Sequence, residues 1–222
     1  MCEPMNPAPP VTIARIAPYR RRMFVTFEGV DGSGKSTQAA LAAAHLAGGG
    51  REVVATREPG GTSIGERVRA LLLDGPEMTA WAEASLFAAA RAELAEQVIR
   101  PALARGAIVV CDRYIDSSLA YQGIARGLGV DRVMELNAAV ADLLPDRTFV
   151  LIVDEMTAAA RLGRRPDRIE REGAVFREAV QQGYRAVAER FPDRIVLLDG
   201  ELPREELAAR VRKELAVSTA SA

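Results

Sequence analysis

Phe24-Val25-Thr26-Phe27-Glu28-Gly29-Val30-Asp31-Gly32-Ser33-Gly34-Lys35-Ser36-Thr37 decides how this chain folds. Phe24–Glu28 is a short apolar run ending in an acid, the pattern of a buried strand. Gly29–Ser36 satisfies G-x-x-x-x-G-K-[ST], and an alanine-rich segment with helical spacing begins near Lys35. Strand, glycine turn and helix in that order make a cradle for phosphate. The glycines let the backbone curl until successive N–H groups point inward, and the helix adds its positive N-terminal end. Lys35 is then placed to reach the β and γ phosphates of a nucleotide, and the Ser36 hydroxyl to ligate Mg²⁺. Gly29, Val30, Asp31, Gly32, Ser33, Gly34, Lys35, Ser36 and Thr37 are therefore the expected nucleotide-binding set, which the loop alone assigns to no one of GTPase, ATPase or kinase. Asp31 needs a further reason, because an acid among phosphates is costly unless it meets a metal or a sugar hydroxyl. A turn residue favouring helix entry is the plainer alternative.

Working outward, four more apolar runs read as buried strands: Glu52–Thr56, Ala107–Asp112, Thr148–Asp154 and Arg194–Asp199. Helical segments separate them, with starts expected near Lys35, Ser63, Thr79, Ile115, Asp131, Glu155, Glu170 and Pro203. Residues 79–104 form the longest and are rich in alanine. The alternation predicts an α/β fold of the P-loop NTPase type, three layers with a five-stranded parallel sheet and helices on both faces. Ligands in such folds gather beyond the carboxyl ends of the strands.

The chain has 222 residues, enough for one domain with a sizeable core. Its 29 basic and 30 acidic residues nearly cancel, which disfavours a general nucleic-acid binder, so any anion site is local. Lys35 and Lys213 are its two lysines, against 27 arginines, so Lys35 is not one of many surface lysines. Cys2 and Cys111 make no disulfide framework, which fits a reducing, cytoplasmic setting. No apolar stretch reaches the roughly 20 residues of a membrane span. Met1–Pro18 holds five prolines and no apolar signal core. Residues 1–22 are expected to be a disordered extension before a domain over 23–222, and Met23 is an alternative translation start.

Three further stretches lie where strands end or on the long helix: Thr56-Arg57-Glu58-Pro59-Gly60-Gly61-Thr62, Leu86-Phe87-Ala88-Ala89-Ala90-Arg91, and Asp112-Arg113-Tyr114-Ile115-Asp116-Ser117-Ser118-Leu119-Ala120-Tyr121-Gln122-Gly123. Together with the phosphate loop they resemble the thymidylate kinase family from about Met23 to about Leu215. Phe87 and Arg91 share one helix face by their spacing, which suits a flat base with polar edges. Core packing is the alternative for Phe87, and a salt bridge to Glu93 or Glu96 for Arg91. The resemblance implies that Phe87 stacks on thymine and Arg91 bonds its carbonyl edge. It places Ser118 and Gln122 at the remaining polar edge, and Tyr121 against the sugar 2′ position. By the same resemblance, Asp31 accepts the 3′-hydroxyl, Arg69 holds the dTMP phosphate, and Arg113 lies between the two phosphate groups. Glu58, followed by Pro59, would organise metal-bound water or the acceptor end, and Asp112 joins Ser36 and Glu58 as an expected metal ligand.

Residues 161–171 carry five arginines against two acids, and Gly163 and Pro166 interrupt helix. They are expected to form a mobile lid over ATP. Some members of the family carry a catalytic arginine at the place held here by Gly32; others supply it from the lid. This chain resembles the second kind, with Arg165 and then Arg161 as the expected donors. The implied reaction is in-line transfer from MgATP to dTMP, giving dTDP and ADP, in a homodimer packed through helices. Adenine is expected near Asp199-Gly200-Glu201. No Asn-Lys-x-Asp stretch supports guanine reading. A kinase for another small molecule, or a nucleotide-dependent switch, are the competing readings.

Overall fold

The computed structural model describes residues 22–162 and 167–217. All five expected strands form within a residue or two of their expected bounds: β1 (Met23–Glu28), β2 (Val53–Arg57), β3 (Ile108–Asp112), β4 (Arg147–Ile152) and β5 (Ile195–Asp199). They pair in parallel in the order β2-β3-β1-β4-β5. The helices are α1 (Lys35–Gly48), α2 (Ser63–Asp74), α3 (Ala80–Leu94), α4 (Arg100–Ala104), α5 (Ile115–Ser118), α6 (Val130–Leu136), α7 (Glu155–Arg161), α8 (Ala174–Arg190) and α9 (Arg204–Val217). Hydroxyl and carboxylate caps start several of them: Thr62 accepts from Gly65 N at 2.9 Å, and Asp154 from Thr157 N at 2.6 Å.

The pleat of β1 sorts the core into two layers. Met23, Val25 and Phe27 face α1 and α9, packing on Ala42, Leu46, Leu207 and Val211. Phe24 faces the other way, toward Leu94 and Ile99 under α3. A third cluster joins Val150 and Ile195 to Val180, Tyr184 and Val187 of α8. Helices thus cover both faces of the sheet. Polar residues inside it are paired: Thr26 Oγ1 meets Thr148 Oγ1 at 2.8 Å, and Thr148 Oγ1 donates to Asp116 Oδ2 at 2.9 Å.

The structure differs from the expected helices in three places. The helix expected near Glu170 begins at Ala174, after a 3₁₀ turn over Glu170–Glu172. Gly173, at φ +90°, separates the two. The long segment over 79–104 widens into a π-turn at Ala95–Ile99 between α3 and α4. Pro101 follows; a proline has no N–H and its ring crowds the carbonyl four residues back, which a wider turn relieves. A second π-turn, Leu119–Ala125, extends α5 through the Tyr121-Gln122-Gly123 stretch. Helix α8 lies hard against it. A Cβ on Gly183 would come within 2.8 Å of the Ala120 carbonyl oxygen.

Candidate active site

Because β1 is central and β3 is its neighbour, the loop after β1 and the Asp112-Arg113 turn after β3 emerge side by side. The loop curls through Gly29, Gly32 and Gly34, all at positive φ. Gly32 admits no side chain: at φ +82°, a Cβ there would stand 2.3 Å from the Ala158 carbonyl oxygen of α7. Lys35 is buried and donates to Asp31 Oδ1 at 2.8 Å, and Arg113 Nη2 reaches the same oxygen at 3.0 Å. Burial alone would raise the Asp31 pKa, but Arg113 and Lys35 outweigh it and hold the carboxyl well below the usual range. Burial, together with Arg113, lowers the Lys35 pKa. Arg113 itself sits at φ +69°, a backbone conformation that costs a non-glycine residue energy and that its surroundings must hold.

On one side of this trio opens a cleft lined by Ser33, Gly34, Thr37, Arg161, Gly200 and Leu202. Arg161 Nη1 donates to the Gly200 carbonyl at 2.9 Å and approaches the Gly32 carbonyl at 3.4 Å. It thus joins the phosphate loop to the turn after β5, where adenine was expected. Arg164 and Arg165, with Gly163 and Pro166, lie outside the described residues.

On the other side lies a second cavity, walled by Asp31, Glu58, Pro59, Arg69, Phe87, Arg113, Ser118, Tyr121 and Gln122. The structure therefore gathers these nine expected residues around one space. Phe87 is half-buried there. The Arg113 guanidinium stands 5.3 Å from the Tyr121 ring centroid. Arg69 Nη1 donates to the Pro59 carbonyl at 3.0 Å. Leu73, Asp167 and Ile169 complete the wall.

Arg91 stands behind this wall, 1% exposed. Its Nε donates to Glu58 Oε2 at 2.9 Å, Nη1 to Asn137 Oδ1 at 2.6 Å, and Nη2 to Ser118 Oγ at 3.0 Å and the Tyr114 carbonyl at 3.2 Å. It meets the cavity through Glu58 and Ser118, which it holds. Burial raises the Glu58 pKa to about 7 despite the opposing charge of Arg91. Glu58 Oε1 is buried with no hydrogen-bond partner.

Of the three expected metal ligands, Glu58 and Asp112 are neighbours, the Glu58 amide donating to the Asp112 carbonyl at 2.9 Å. Glu58 belongs to the second cavity, whereas Ser36 and Asp112 line a separate cleft over α1 and β2. There the Ser36 hydroxyl donates to Asp112 Oδ2, and Asp112 Oδ1 is buried without a partner. A hydroxyl and a carboxylate with a spare oxygen, beside a phosphate loop, fit Mg²⁺, which takes few protein oxygens and completes its shell with water and phosphate.

Some residues of this region carry no sequence motif that marks them. Glu28 ends β1 fully buried, accepting from Tyr114 N at 2.7 Å, from Tyr184 OH at 3.0 Å and from Ser117 Oγ. Ser117 and Tyr184 in turn accept from Arg113 Nη1 at 3.2 and 3.1 Å. Burial, then the charge of Asp116, raises the Glu28 pKa to about 8 against these donors and Arg113. Arg168, within the segment expected to form a mobile lid, is buried: its Nε donates to the Leu72 carbonyl at 2.8 Å and its Nη2 pairs with Glu83 at 2.7 Å.

A parallel sheet with a phosphate loop on its middle strand, and a cavity meeting that loop across one carboxylate, defines a P-loop nucleotide-binding fold. The thymidylate kinase family model matches residues 27–211. The thymidylate kinase of Pelotomaculum thermopropionicum is 50% identical over 182 residues, 79% of this chain and 84% of that protein. That of Bordetella petrii is 50% identical over 198 residues, covering 88% and 95%. The crystal structure of thymidylate kinase from Ehrlichia chaffeensis superposes with a TM-score of 0.73 at 37% identity, covering 87% of this chain and 98% of that one. The chain belongs to the thymidylate kinase family. Its activity is accordingly phosphorylation of dTMP with ATP as phosphoryl donor, a step of nucleotide synthesis. No helix among the described residues is long and apolar enough to cross a membrane.

Proposed function

We propose that the two cavities hold ATP and dTMP end to end, with the Lys35–Asp31–Arg113 trio at their junction. The observation that supports this most directly is that Asp31 lines the acceptor cavity while bonded to the lysine of the donor loop. Gly29–Thr37 wraps the donor phosphates, Lys35 draws off charge from the β and γ groups, and Arg161 closes the loop against the β5 turn, beside the adenine. In the acceptor cavity Phe87 stacks on thymine, and Ser118 and Gln122 meet its polar edge, with Arg91 organising that edge from behind. Tyr121 crowds the sugar 2′ position, Asp31 accepts the 3′-hydroxyl, and Arg69 and Arg113 hold the acceptor phosphate. Glu58 and Pro59 close the phosphate end.

The acceptor phosphate is already ionised, so no strong base is required. Transfer is direct and in line, and the chain's part is to align two anions and offset their repulsion. Ser36 and Asp112 would hold Mg²⁺, which when bound neutralises charge between the β and γ phosphates. The protein works in the cytoplasm as a homodimer packed through helices.

The test is to mix the protein with MgATP and a panel of nucleoside monophosphates. Rapid ADP formation dependent on dTMP is expected. Equal turnover with all monophosphates, or ATP hydrolysis without an acceptor, would defeat the reading.

A further inference from the structure

Glu83 lies one turn before Phe87 on the same face of α3, and nothing in the reaction above uses it. It is 1% exposed, yet two guanidinium groups hold it as an anion: Arg168 at 2.7 Å and Arg126 at 3.1 Å. Its Oε1 also accepts from Gln122 Nε2 at 2.9 Å. This contact fixes which way the Gln122 amide points. An ionised carboxylate offers acceptors only, so the amide group turned to it must be the NH₂. The amide oxygen is what remains for the cavity that Gln122 lines. Without the carboxylate the two ends of the amide would be interchangeable.

We propose that Glu83 is a specificity-determining positioning residue: by clamping the Gln122 NH₂ it makes that side chain present an acceptor to the bound base. Thymine and uracil carry an N–H donor at N3 and match it. Cytosine carries a bare acceptor at N3 and is rejected. The inference rests on the reading of Gln122 as facing the base edge.

Use of dTMP against dCMP, as kcat/KM and as inhibition of dTMP turnover by dCMP, is measured in wild type, Glu83→Gln, Glu83→Asp, Arg126→Leu and Gln122→Leu. A glutamine at 83 can donate to Gln122, so the amide turns freely. The preference for dTMP should then fall about tenfold, as when a buried hydrogen bond is mismatched, with the KM for ATP unchanged. Glu83→Asp shortens the reach to Gln122 but keeps the charge, and should shift the preference less in the same direction. Arg126→Leu loosens the same cluster but leaves Glu83 on Gln122, and should retain the preference. An unchanged preference in Gln122→Leu would remove the underlying reading. A preference that moves in Gln122→Leu but not in the folded Glu83 variants would overturn the role of Glu83 alone. In wild-type protein labelled with ¹⁵N at glutamine, the Gln122 NH₂ should stay protected from exchange when dTMP binds; loss of protection would also overturn it.

Discussion

Glu28 offers a quantitative test, because it is a carboxylic acid without solvent at the base of the site. In an unfolded chain it titrates near the ordinary 4.5; in the folded protein burial and Asp116 raise that to about 8. Between those values the native state binds a proton that the unfolded state has released. Stability supplied by this group is therefore fully present below pH 4.5 and lost as pH rises toward and through 8. The slope is about 1.4 kcal/mol per pH unit, so going from pH 6 to 8 removes ~2 kcal/mol. Glu58, raised to about 7, titrates in the same window, so the comparison must be with Glu28→Gln rather than with wild type alone. Urea denaturation at pH 6, 7 and 8 should show wild-type stability falling more steeply than that of Glu28→Gln, by about this amount. Equal slopes for the two proteins would refute the assignment of a protonated acid at this position.

Lys35→Ala should lower kcat by orders of magnitude while leaving the melting temperature near wild type, read by coupled ADP assay and calorimetry. Arg91→Ala strands a buried carboxylate and should destabilise by about 3–5 kcal/mol; the KM for dTMP should rise far more than that for ATP. Gly32→Arg should abolish ATP binding in calorimetric titration rather than supply a loop arginine, because the left-handed backbone alone costs about 1–3 kcal/mol and the Ala158 carbonyl blocks the side chain.

Much of this architecture is local information. The strand–glycine–lysine stretch at 24–37 carries its own geometry, and β-rich runs between helical segments imply a parallel sheet without further help. The cavity lined by Glu58, Phe87 and Tyr121 was legible only through the family resemblance carried by several separate segments. Glu28, Glu83 and Arg168 were not, since each acts through partners far along the chain. Tyr184 is 156 residues from Glu28, and Arg168 is 85 from Glu83. Among 27 arginines, periodicity does not mark the one that folding buries. The turn before α8 did leave a signal, Gly173, which a helix start placed at Glu170 runs over.

The contact between α8 and the widened turn also determines where the cavity lined by Tyr121 and Gln122 can be reshaped. With Gly183 backed directly onto Ala120, the rear of the Tyr121–Gln122 segment has no slack, and even one methyl group there would displace it. More room in the cavity must come from its other side chains, at Leu73, Phe87 or Ile169, where trimming a side chain leaves the backbone alone.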